Sequence, residues 1–206
     1  MRLLFQLDTR DYDPNGKAFV RPSVRGIIIR AGKVGMVHSQ KYDYYKFPGG
    51  GVEAGESRHQ ALIREVLEES GMCVIPDTIA EYGLVHRIQK GEKEAVFIQD
   101  NYYYLCEVDP GILPQRLDDY EVEERFTLEF VAPMLAITTN RNKDHGPKDP
   151  IMLEREALVL ELLIQEGYLS ARKRSTWGKR HHPKLHGHKT RYIPTWDYFI
   201  PDETPT

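Results

Sequence analysis

The chain has 206 residues, 40 % of them hydrophobic and 29 % charged, with a formal net charge of −3. That length suits one substantial domain with a short extension, and the balance of apolar and charged residues excludes a disordered chain without naming any partner. The opening segment, Met1 to Pro14, carries Asp8 early and only a very short apolar run, and no later stretch is long enough to span a membrane, so neither a signal peptide nor a transmembrane segment is read here. The two cysteines, Cys73 and Cys106, lack metal-ligand or redox spacing. They fit buried free thiols in a reducing cytoplasm.

In chain order, Leu3 to Leu7 and Val24 to Arg30 read as strands, separated by the turn Asp13-Pro14-Asn15-Gly16. Lys33 to Ser39 continues as a hairpin partner after Ala31-Gly32. An aromatic segment, Tyr42, Tyr44, Tyr45 and Phe47, then leads into Pro48 and the glycines Gly49, Gly50 and Gly51. Ser57 with Gln60 three residues on is a capping box, which predicts a helix beginning after Ser57, running to Ser70 and stopped by Gly71. Leu84 to Ile88, Ala95 to Ile98, Tyr102 to Val108 and Thr127 to Val131 read as further strands of a mixed or antiparallel sheet. A late helix is expected from Pro150 to Glu166, capped by Asp149 and ended by Gly167. Beyond it, Ala171 to Arg191 holds eight Lys or Arg and no Asp or Glu, with His181, His182, His186 and His188 interspersed. The expectation is therefore a domain over residues 1–170 and a basic, His- and aromatic-containing extension over 171–206.

The densest chemistry lies between Gly50 and Met72. Helical projection at about 100° per residue puts Glu65, Glu68 and Glu69 in one arc and Leu62, Ile63, Val66 and Leu67 in the opposite one. Like charges at such spacings disfavour a helix by a few tenths of a kcal/mol per pair. A cation is the natural compensation, since hard divalent ions take oxygen ligands and Mg²⁺ is commonly shared between carboxylates and substrate phosphates. A merely solvated acidic face is the alternative for the Glu68-Glu69 pair alone.

The full spacing is more specific. Gly50 is followed after five residues by Glu56, then after seven by Arg64-Glu65, an aliphatic Val66, Glu68-Glu69 one residue on, and Gly71-Met72 after one more. This pattern resembles the Nudix box of hydrolases that act on nucleoside diphosphate derivatives, at every defined position. The resemblance implies an α/β/α sandwich with a mixed sheet, and cleavage of a diphosphate linkage by water with Mg²⁺, for which Mn²⁺ can substitute. It also implies that Glu65, Glu68 and Glu69 are the metal carboxylates, aided by a carbonyl of Gly49 or Gly50, and that Arg64 and Glu56 serve orientation. One of the glutamates would also orient or deprotonate the water.

Outside the box, the acid cluster from Asp118 to Glu124 offers Glu121 and Glu123 as a late acid. Arg25, Tyr45, Phe47, Arg87 and Tyr103 are candidates for a nucleotide pocket, because guanidinium groups suit phosphates and aromatic faces stack on bases. A proline carried by the family's ADP-ribose enzymes downstream of the box is missing, with Arg87 near its place. The substrate expected is thus a generic nucleotide-containing diphosphate, and the resemblance admits a homodimer. Two other readings stay open: an enzyme of RNA 5′ ends that uses the basic tail and its aromatics Trp177, Tyr192 and Trp196, and a non-catalytic nucleotide-sensing module. The tail histidines match no structural zinc spacing.

Overall fold

The structure is a computed structural model that describes residues 1–169. The expected basic extension, with its histidines and aromatics, lies outside the described residues. The elements in order are β1 (Leu3–Asp8), β2 (Ala18–Val20), β3 (Ser23–Ile27), β4 (Ile29–Arg30), β5 (Lys33–Ser39), β6 (Tyr44–Lys46), α1 (Arg58–Ser70), β7 (Met72–Val74), β8 (Ala80–Lys90), β9 (Val96–Leu105), β10 (Val108–Ile112), α2 (Asp119–Glu123), β11 (Phe126–Val131), α3 (Pro133–Asn142) and α4 (Pro150–Gln165).

A mixed sheet runs β1-β8-β9-β2, with β3 also on β9; β8 and β9 are antiparallel, whereas β1 is parallel to β8 and β2 and β3 are parallel to β9. An antiparallel sheet runs β11-β5-β4 with β6 also on β5, and β7 pairs with β10. Side chains alternate across a strand, and this period sorts the chain into layers. Val24 and Ile28 pack with Ala61, Leu62 and Val66 of α1, while Ile27 joins Ala136 and Ile137 of α3 and Ala157, Leu160 and Leu163 of α4. The result is an α/β/α arrangement with α1 on one face and the α3–α4 pair on the other. Leu62 and Val66 are fully buried, each contributing about 1.5–3 kcal/mol, so the helix that carries the acids is anchored by its opposite side.

Both long helices end where the sequence places their signals. Ser57 accepts from the Gln60 amide at 3.2 Å while the Gln60 side chain accepts from the Ser57 amide at 2.8 Å, and Gly71 closes α1 at φ 71°. Asp149 caps α4 by accepting from the Ile151 amide at 2.8 Å.

Elsewhere the expected elements need correction. The strands expected at Ala95 to Ile98 and Tyr102 to Val108 are replaced by one strand, β9, running through Gln99-Asp100-Asn101. Those polar residues read as a break in the sequence, yet each has a partner: Gln99 and Asn101 accept from Arg155 at 3.2 and 2.9 Å, and Asp100 pairs with His86 at 2.6 Å. The expected strand Val24 to Arg30 is split into β3 and β4 at Ile28. Helix α3 was not anticipated, because Thr138, Thr139 and Asn140 are weak helix formers; its Asn140 instead brackets the Tyr45 backbone, accepting from its amide and donating to its carbonyl, both at 2.8 Å.

No helix among the described residues is long and apolar enough to cross a membrane. Cys106 is buried and its thiol is pushed up to about 12 by that burial, while Cys73 is half-buried. Alkylation of the native chain at mildly alkaline pH should therefore modify Cys73 well before Cys106, which peptide mapping would show.

Candidate active site

The glycine turn reaches the face of α1 through its backbone. Gly49 adopts φ 141°, a conformation that side-chain-bearing residues rarely take. Its amide donates to Glu69 Oε2 at 2.9 Å and its carbonyl accepts from Arg25. The Gly50 carbonyl accepts from the Val24 amide at 2.9 Å. A Cβ on Gly50 would strike the Glu65 carboxylate. The Gly50→Ala variant should accordingly keep the fold, because the obstacle is a movable side chain, while displacing Glu65; activity should fall at least about 10-fold, since displacing a reacting group by about an ångström is enough for larger losses. Thermal melting beside steady-state kinetics checks both halves.

Arg64 gathers the acids of the helix. Its Nε and Nη2 donate to the two Glu56 oxygens at 3.2 and 2.6 Å, its Nη1 to Glu65 at 2.9 Å and to Glu68 at 3.1 Å, and its Nη2 also to the Gly51 carbonyl at 3.1 Å. The planar guanidinium thus ties loop and helix through fixed geometry. It holds the Glu56 carboxyl below the usual carboxylate range. Glu65 lies deeper, and burial raises its proton affinity despite Arg64.

Glu69 is 2 % exposed and forms an ion pair with Lys46 of β6 at 2.5 Å. Sequence reasoning missed Lys46, whose only signal is a charge inside an aromatic strand. Of the two late acids, Glu121 is buried and lines the same cleft as the helix acids, whereas Glu123 is exposed and paired with Lys41 at 2.5 Å, outside it. Glu121 also accepts from the Asp118 amide at 3.0 Å and from the Tyr120 hydroxyl at 2.8 Å. Burial and then the negative charge of Glu69 raise its proton affinity.

Together these side chains line a cleft of about 410 Å³ formed by Arg21, Gly51, Val52, Glu53, Arg64, Glu65, Glu68, Glu69, Arg116, Asp118 and Glu121. As placed, no three His, Cys, Asp or Glu side chains among the described residues are gathered closely enough to enclose a metal ion. The donor set nonetheless fits a hard divalent cation: it is all oxygen, and its carboxylates already hold cationic partners, Arg64 and Lys46, in the place of an ion. Those partners would have to yield part of their hold.

The proposed nucleotide-pocket residues are not brought to this cleft. Phe47 and Tyr103 are core residues, edge to face at 5.5 Å, in the cluster beneath α3 and α4. Tyr45 stacks on His38 at 4.4 Å and bonds Glu129 at 3.1 Å. Arg87 is buried and held by Asp149 and Gln89. Arg25 is buried behind the glycine turn, with its Nε unpartnered among the described residues. The two-residue period of the strands is the reason: it turns Tyr103 toward α4 while Tyr104 faces α1. Arg21, Val52, Glu53 and Arg116 are the cleft residues that the sequence reading did not single out, and Asp118 entered it only as the start of the late acid cluster.

With this geometry established, the comparisons with known proteins agree on the family. The NUDIX domain model matches residues 20–152, and the chain belongs to the Nudix hydrolase family. It is similar to an RNA pyrophosphohydrolase of Aeromonas hydrophila, 35 % identical over 101 residues that make up 44 % of this chain and 57 % of that protein. It is also similar to Nudix hydrolase 2 of Arabidopsis thaliana, 28 % identical over 106 residues, covering 52 % of this chain and 35 % of the relative. The chain thus spans less than two thirds of the length of either relative. Among solved structures it resembles a MutT Nudix hydrolase from Burkholderia pseudomallei, with 18 % identity, coverage of 69 % and 98 % of the two chains and a TM-score of 0.48.

Proposed function

We propose that the chain is a pyrophosphohydrolase that uses water to split the diphosphate linkage of a nucleotide-containing substrate with Mg²⁺, or Mn²⁺ in its place. The observation that carries this reading is the cleft itself: six carboxylates and three arginines converge on one space along α1. Glu65, Glu68 and Glu69, with a glycine-turn carbonyl, would hold the cation, which when bound would neutralise the diphosphate and acidify the attacking water. Arg64 keeps Glu56, Glu65 and Glu68 in register, and Lys46 fixes Glu69 from the buried side. Glu121, whose burial raises its proton affinity, is suited to accept the proton of the water. A panel of nucleoside diphosphate derivatives incubated with Mg²⁺ tests the reading. Release of a nucleoside monophosphate from at least one member is expected; no turnover of any member would overturn it.

A second reading, hydrolysis at RNA 5′ ends, is favoured by the similarity to the RNA pyrophosphohydrolase and by the basic run Ala171 to Arg191. Its binding should weaken steeply with salt. RNA turnover undiminished in a chain ending before Ala171 would remove the tail from that reading.

A further inference from the structure

Helix α2 carries Glu121 to the cleft, yet it has little apolar anchorage of its own. From Asp118 to Arg125 only Glu121 and Glu124 are buried, and both are acids. Tyr120 meets the Phe126 ring edge to face at 6.1 Å but is itself exposed, as is Val122. A helix of 5 residues does not hold its shape alone, so its place depends on the polar contacts at its two ends.

On the N-terminal side, the preceding segment is tied to the end of α1: the Arg116 amide donates to the Glu68 carbonyl and the Leu113 amide to the Gly71 carbonyl, both at 2.8 Å. On the C-terminal side the hold is the Glu124 carboxylate, 4 % exposed. Its Oε2 accepts from the Ser39 hydroxyl at 2.9 Å and the Tyr44 hydroxyl at 2.8 Å, and its Oε1 accepts from the Lys148 ammonium. Lys148 comes from the connection between α3 and α4 and lies over the Tyr42 and Tyr44 rings, 5.0 and 5.9 Å from their centroids. Two neutral hydroxyls do not offset a buried negative charge, whereas an ammonium does. Glu121 and Glu124 stand three residues apart on one side of the turn, so a movement of the second carries the first. Tyr44 and Lys46 share one face of β6, and through them the same strand grips Glu124 beside α2 and Glu69 on α1.

We infer that Glu124 and Lys148 are positioning residues, whose ion pair latches α2 onto β5 and β6 and so holds Glu121 at its distance from the acids of α1. The inference rests on the hydrolase reading above for the role of Glu121. Neither Glu124 nor Lys148 lines the cleft, so neither meets the substrate. Breaking the pair should therefore slow the step in which Glu121 takes part and leave substrate binding, which falls to the lining residues, as it was.

The test uses the full chain and two readouts. Hydrogen exchange read by mass spectrometry follows α2 without turnover: in Lys148→Met the peptide from Asp118 to Arg125 should exchange at least about 10-fold faster, the scale of one charge-assisted hydrogen bond. Lys148→Arg should restore most of the protection. On the best substrate of the nucleotide panel, Lys148→Met should lower kcat at least about 10-fold at unchanged KM. It should have no further effect in a Glu121→Gln chain, because the latch acts through that residue. Glu124→Gln, which keeps an acceptor for Ser39 and Tyr44, should match Lys148→Met in both readouts. Unchanged exchange in that peptide, or a loss of kcat that persists at full size in the Glu121→Gln chain, would overturn the inference. Absence of turnover across the whole panel overturns the hydrolase reading instead, and the exchange rates decide the latch in either case.

Discussion

Replacing Glu68 by Gln should lower kcat by at least about 100-fold while leaving stability almost unchanged, the scale expected when a cation ligand or proton acceptor is removed. Glu68 is partly exposed and its one ion pair among the described residues is the contact to Arg64 four residues earlier at 3.1 Å, worth only a few tenths of a kcal/mol on a helix surface. Glu69→Gln should be different in kind. It abolishes activity as well, but it also strands Lys46, whose buried ammonium has Glu69 as its counter-ion, and should destabilise the fold by about 3 kcal/mol. Measuring kcat and the denaturant midpoint on both variants separates the roles. Near-normal activity in both would remove the acidic face of α1 from the chemistry.

The second large effect is expected outside the lining of the cleft. Arg155 and Glu156 are 1 % and 0 % exposed and paired with each other. Arg155 also donates to Gln99 and Asn101 of β9, while Glu156 accepts from the Phe47 amide at 3.1 Å. This buried pair joins α4 to the polar middle of β9 and to the strand end that precedes the glycine turn. Glu156→Gln leaves the buried guanidinium without its counter-charge and should cost about 3–5 kcal/mol, lowering the melting temperature by about 10 °C. Replacing both members by Met should cost less than the single change, because no charge is then left uncompensated. A double variant as unstable as the sum of its singles would show that the two charges are not coupled.

How much of this was legible in the sequence depends on the distance over which a signal acts. Helix α1 was readable because its cap, its stop and its apolar side all lie within the segment itself, and local rules govern each. The division of its acids was not: Glu69 is turned inward by Lys46, which lies 23 residues earlier in the chain, and no local pattern announces that pairing. Gln99-Asp100-Asn101 looked like an interruption for the same reason, since its partners His86 and Arg155 come from β8 and α4. Phe47 and Tyr103 have the composition of a base-stacking site, but alternation along their strands assigns them to the core. Arg21 and Arg116 carried no pattern at all. Their place becomes visible only when the segment holding Arg21 is tied to β9 and the glycine turn and that holding Arg116 to the end of α1.

The most direct measurement is the initial rate of nucleoside monophosphate release from the best substrate of the panel as Mg²⁺ is returned to a metal-stripped chain. The expected result is no turnover without the ion, a saturable rise as it is added, and no recovery in Glu68→Gln at the same concentrations. A rate that survives exhaustive chelation would contradict the assignment of the α1 carboxylates as a cation-dependent diphosphate site.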